Sequence, residues 1–111
     1  MSITVKNLVP GTQLTGSTAT YYTATNVKAI LDKVTLCNTT AGAITVEMWL
    51  VPTGGTAGDS NKVLDAISVA AHTMYTYPEI VGHVLAAGDT LQAKASAATS
   101  VSLRVSGREV S

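Results

Sequence analysis

A chain of 111 residues suits one domain with a single core and no need of disulfides. It is 46% hydrophobic, but much of that is Ala and Val, with no Phe and one Trp, so a thin core is expected. The formal net charge is zero, which favours association, and Lys6, Lys28, Lys33, Lys62, Lys94, Arg104 and Arg108 are dispersed, which argues against nucleic acid.

The opening MSITVKNLVPG lacks the charged region and long apolar run of a secretory signal. No run approaches the roughly 18 apolar residues of a membrane span. Synthesis in a reducing cytoplasm is expected, which fits the lone Cys37, read as a small hydrophobe near a strand end. Ile3, Val5 and Leu8 suggest a short first strand or an extended arm within residues 1–20, closed by Pro10-Gly11. Thr18 to Thr23, with the pair Tyr21-Tyr22, reads as a strand.

Val27 to Val51 organises the chain. In its first arm Ile30, Val34 and Leu36 fall on one face. In its second, Ile44, Val46, Met48 and Leu50 alternate with Thr45, Glu47, Trp49 and Val51. Such a period of two marks strands with one buried face. The break CNTTAGA carries Asn38, Thr39, Thr40 and Gly42, so a β-hairpin is predicted. Pro52 then opens the exposed loop PTGGTAGDSN, which ends at Asn61. KVLDAISVA is ambiguous over 63–70. Val63, Leu64 and Ile67 fit a short helix started by Asp59 or Ser60, and Val63, Ile67 and Val69 fit a strand face, which the β-like neighbourhood favours.

HTMYTY places Tyr75 and Tyr77 on one face and Met74 on the other, and Pro78 ends it. A short apolar segment, a turn at Ala87-Gly88-Asp89, and a strand with Leu91, Ala93 and Ala95 inward come next. The last run has Val101, Leu103 and Val105 inward, with Ser102, Arg104 and Ser106 outward. About eight short strands separated by turns indicate an all-β, antiparallel β-sandwich of jelly-roll type over 1–111.

Chemical motifs are wanting. Gly58 is followed by Asp59 rather than by the Lys-Ser or Lys-Thr of a phosphate loop. His72 and His83 are too far apart for a helical metal pair and no Cys cluster accompanies them. Asp32, Glu47, Asp59, Asp65, Glu79, Asp89 and Glu109 fall largely at turns or on outward faces, and no Ser stands in a nucleophile elbow. Asn38-Thr39-Thr40 matches a glycosylation acceptor, a short and common pattern. No catalytic residue, cofactor or metal is expected, and enzyme activity is not expected.

Five pieces carry a resemblance: Tyr21-Tyr22-Thr23-Ala24, KAILDKVTLCNTT, AITVEMWLV, HVLAAGDTLQAKAS and VSLRVSGREV. Together they resemble small β-sandwich proteins of tailed-phage virions, closest to the head decoration (cement or staple) protein of epsilon15-type short-tailed phages. One departure is Thr25-Asn26, where a Gly-bearing turn is common. The resemblance implies a jelly roll on the outer capsid surface of a virion, clamping neighbouring subunits of the major capsid protein. A tail, neck or fibre protein is the second reading. A carbohydrate-binding sandwich using Trp49, Tyr75 and Tyr77 as sugar platforms is the third. Two segments could reach a neighbour: Ser2 to Thr20, and the loop Pro52 to Asn61. The interface candidates are Ile3, Val5, Leu8, Tyr21, Tyr22, Trp49, Tyr75 and Tyr77, and a homo-oligomer is expected, a dimer around Trp49 rather than a trimer. Neither nucleic acid nor membrane is an expected partner.

Overall fold

Alternating side chains separated by turn residues fold into nine strands. The computed structural model describes residues 2–111. Its strands are β1 (Ile3–Gln13), β2 (Ala19–Thr23), β3 (Lys28–Asn38), β4 (Ile44–Val51), β5 (Lys62–Val69), β6 (Met74–Thr76), β7 (Val84–Leu85), β8 (Thr90–Ala95) and β9 (Val101–Val110). All pairings are antiparallel. Sheet A runs β1-β9-β3-β6, with β7 also on β3, and sheet B runs β2-β8-β4-β5. A 3-10 turn at Pro78–Ile80 separates β6 from β7, so these two are halves of one broken strand along β3.

Counted that way, eight strands pair first with last, second with next-to-last, and so inward to β4 with β5. The chain is a long hairpin, bent at the 52–61 loop and wrapped into two facing sheets. This is the jelly roll, and it bears out the expected sandwich. The ambiguous KVLDAISVA is strand β5, bulged at Ala66, whose φ is +48°.

The Val27–Val51 hairpin is corrected. β3 belongs to sheet A and β4 to sheet B, so the two arms face each other across the core instead of pairing. Buried Asn38 makes the corner. Its Nδ2 donates to the carbonyls of Gly42 (2.8 Å) and Val69 (2.9 Å), and its Oδ1 accepts from the Thr40 amide (2.9 Å) and hydroxyl (2.7 Å). The same commitment leaves no free amide for a glycan. Period two reports a buried face, and a strand can bury that face against an opposite sheet as well as beside a hairpin partner.

Met48, Val46, Leu91, Ala93, Ala95, Val101, Leu103 and Val105 fill the core as expected, while Ile44 and Leu50 pack at its margin. Ile30 is a second correction. A register shift between Leu31 and Lys33 reverses the parity of β3, so Ala29 and Leu31 point inward and Ile30 outward. Of the two readings of the N-terminus, a short strand or an extended arm, the structure has a strand, and its closing point is the third correction. Pro10-Gly11 does not close it, because β1 continues to Gln13 along β9. Register shifts on both sides of Val9 absorb the proline, which an edge strand tolerates, and Gly11 takes φ +131°. Asn26 adopts φ +58°, which supplies the turn where glycine is common.

Candidate functional site

The eight sequence-chosen interface residues divide sharply. Ile3 and Val5 stand open, 58% and 82% exposed. Leu8 is buried under sheet A, and Tyr22 is buried with its hydroxyl donating to Glu109 Oε2 at 2.6 Å. A register shift between Thr20 and Tyr22 lets both tyrosines turn to the sandwich. Tyr21 packs on the core and its hydroxyl oxygen accepts from the Thr15 amide at 3.0 Å. Tyr75 and Tyr77 stack on each other, centroids 6.5 Å apart, at the margin of the core. The Tyr77 hydroxyl donates to the Val63 carbonyl of sheet B, tying the two sheets together.

Trp49 does project away from the core, as expected, but it is only 6% exposed. The Lys62 ammonium sits 5.4 Å from its ring centroid, a cation–π contact. Lys62 also pairs with Glu47 (2.5 Å) and Asp65 (2.8 Å), and Lys94 reaches Glu47 at 3.5 Å. The hydrogen bond from Lys62 holds the Glu47 carboxyl below its ordinary value. The outer face of sheet B is therefore a charge-balanced lid over its one tryptophan. A dimer patch centred on Trp49 has no open ring to use.

The outer face of sheet A differs. Register places Val5, Arg108, Ile30 and Val84 in one row across β1, β9, β3 and β7, with Ile3, Val110 and Lys28 in the neighbouring row. Val84 is 55% exposed and Val81, just before it in the chain, 59%. A shallow depression lined by Asn26, Val27, Lys28, Ala87, Val110 and Ser111 borders these rows. Met74, paired with Cys37, adds a further exposed apolar side chain toward the other end. The open apolar side chains of this face are thus interleaved with the cations Arg108 and Lys28. Val81 and Val84 were visible as a short apolar segment but could not be assigned a face without the β3–β7 pairing. Ile30 was assigned the wrong face because the bulge at Asp32 leaves no trace in composition.

At the end of the sandwich, the hydrogen bond from Tyr22 holds the Glu109 carboxyl below its ordinary value, with Lys6 at 3.3 Å assisting. Burial, then Glu109, pushes the Tyr22 hydroxyl up. The 52–61 loop is braced rather than loose. Asp89 accepts from the Thr53 amide (3.0 Å), the Thr53 hydroxyl (3.2 Å) and the Ala86 amide (2.9 Å), while Asn61 bonds Thr56 and Gly58. Among the described residues no group of three His, Cys, Asp or Glu comes together as a metal site, and His72 and His83 are both exposed. Among the described residues no helix is long and apolar enough to cross a membrane.

No protein-family model and no curated protein matches the chain. Among solved structures it is similar to a chain in "Structure of infectious bursal disease virus Gx strain", with TM-score 0.49 and 15% sequence identity. The match covers 97% of this chain and 30% of the other, so this chain spans less than a third of its length.

Proposed function

We propose that this chain is a non-enzymatic virion structural protein that binds the outside of a tailed-phage head and cements neighbouring major capsid subunits. The observation that carries it is the asymmetry of the two faces: sheet B is sealed by paired charges, and sheet A leaves Ile3, Val5, Val81 and Val84 open to solvent. A β body braced at its corners, with one face ready for contact, suits a mechanical task. The resemblance of the sequence pieces to decoration proteins is the ground for naming a capsid partner. Pressure from packaged DNA separates capsid subunits, and a domain seated on two of them opposes the separation. Binding only the assembled lattice stabilises that lattice by mass action.

The test is co-sedimentation of purified protein with undecorated heads and, separately, with tails. Binding to heads alone supports the proposal. Binding to tails alone replaces it with a tail, neck or fibre role. The carbohydrate reading loses support from the positions of Trp49, Tyr75 and Tyr77, whose rings are taken up by Lys62, by each other and by the core margin.

A further inference from the structure

The cations that look scattered in sequence are gathered by the fold. Lys28 and Lys33 lie on β3, Arg104 and Arg108 on β9, and these strands are neighbours at the centre of sheet A. All four side chains lie on the outer face. Val34 and Leu36 point inward beside Lys33, Leu103 and Val105 point inward on either side of Arg104, and Arg108 shares its row with outward Val5 and Ile30. Asp32 is the carboxylate that β3 brings to this face, and it is consumed by Arg108 in a bidentate pair, Nε to Oδ2 at 3.1 Å and Nη2 to Oδ1 at 3.0 Å. Among the described residues Arg104 donates only to the neutral Asn7 side chain. Among the described residues no carboxylate pairs with Lys28, Lys33 or Arg104.

Strands β3 and β9 bring four cations and one carboxylate to this face, an excess of three positive charges on those two strands, although the whole chain is neutral. Of the acids outside the ion pairs, Asp59 and Asp89 lie in loops, and Glu79 lies in the 3-10 turn between β6 and β7, at the edge of this sheet away from β9. A neutral protein with such a separation is oriented by an external field, and the exposed valines beside the cations supply short-range contact once it is aligned.

We infer that the outer face of sheet A docks on an acidic protein surface, with Lys28, Lys33 and Arg104 reading carboxylates and Val5 and Val84 sealing the contact. This rests on the head-binding reading for the identity of the partner, but the face can be tested apart from it. The mixture of three unpaired cations with open valines favours a folded acidic surface over a duplex, which rewards a denser basic track. The outer face of sheet B in a second copy is a poor fit, because its outward carboxylates are already paired with Lys62 and Lys94.

The experiment compares wild-type protein with three variants: Lys28→Glu/Lys33→Glu/Arg104→Glu, Val5→Ser/Val84→Ser, and the sheet B control Thr20→Glu/Thr23→Glu. Each is checked for folding by its thermal melt and then assayed on undecorated heads, on immobilised poly-L-glutamate, on anionic phospholipid vesicles and on duplex DNA. The expected result is wild-type retention on poly-L-glutamate and heads that falls steeply with salt. The triple charge variant should lose at least tenfold on both, the valine variant should lose on heads alone, and the control should match wild type. Head binding undiminished in the triple variant overturns the docking face while leaving the cement reading intact. Wild-type retention on poly-L-glutamate without head binding overturns the cement reading and keeps the face. Preference for vesicles or DNA over both acidic protein probes, or concentration-dependent self-association abolished by the triple variant, overturns the acidic-protein assignment.

Discussion

Gly107→Ala should destabilise this protein, against the usual direction for a strand glycine. In an ordinary strand the change stabilises by about 0.5–1 kcal/mol, since alanine has less conformational freedom to lose. Gly107 instead sits where β9 passes β3 at the bulge, between Leu31 and Lys6 in register. A Cβ there would lie 2.3 Å from the Ile30 carbonyl oxygen and 2.7 Å from Leu8 Cδ1. Ordinary contact begins near 3.4 Å, so the first clash is about 1 Å too close, and a backbone carbonyl cannot swing aside as a side-chain tip can. Overpacking of this kind costs about 1–3 kcal/mol, here toward the upper end because strands must separate. Offset by the entropic gain, the net loss is about 2 kcal/mol, or a fall in Tm of about 8–10 °C for a domain of this size. Thermal melts followed by circular dichroism, with Gly42→Ala as a control that meets nothing within 4 Å, measure it. A Gly107→Ala protein that melts at or above the wild-type temperature would refute the β9–β3 register at this point.

Asn38→Leu should cost about 2–4 kcal/mol, because it abandons two carbonyls and the Thr40 donors at a buried corner; urea unfolding reads the loss, and an unchanged midpoint would contradict the corner geometry. Removing Ser2–Lys6 should leave a folded domain, whereas removing Ser2–Val9 should unfold most of it by taking out buried Leu8 and Val9, worth about 1.5–3 kcal/mol each; far-UV circular dichroism of both truncations separates the two. Glu109 and Glu47 are held below the ordinary carboxylate value of 4.5, so the stability they contribute is full above that pH and is lost as pH falls through their lowered folded values. Tyr22→Phe removes the hydrogen bond that dominates the Glu109 shift and should raise the Glu109 titration midpoint in an NMR titration, with no change at Glu47. Val46→Asp and Leu103→Asp should each abolish folding by burying an unpaired charge; a soluble, cooperatively melting Val46→Asp protein would contradict the core.

Local information was enough for the inner faces of the last two strands. Val101, Leu103 and Val105 or Leu91, Ala93 and Ala95 show their inner face by alternation alone, and both sets are buried. Partner choice was not local. Nothing within CNTTAGA distinguishes a hairpin from a corner between sheets, because the decisive acceptor for Asn38 is the Val69 carbonyl, 31 residues away. Bulges were equally silent: Asp32 shifts Ile30 to the outer face, and the shift before Tyr22 turns a tyrosine pair inward. Trp49 was read correctly as outward and wrongly as free, since its cover comes from Lys62 across the β4–β5 pair. The docking face was the least legible feature. Lys28 and Arg108 are eighty positions apart in the chain, and only the β3–β9 ladder makes them neighbours.

Release of packaged DNA on heating tests the cement role most directly. Heads without the protein, heads with wild type added back, and heads with the Lys28→Glu/Lys33→Glu/Arg104→Glu variant are warmed with a dye that fluoresces on exposed DNA. The expected result is a rupture temperature raised by wild type in proportion to occupancy and left at the bare-head value by the variant. Heads that bind wild-type protein to saturation yet release their DNA at the temperature of bare heads would contradict the cementing function.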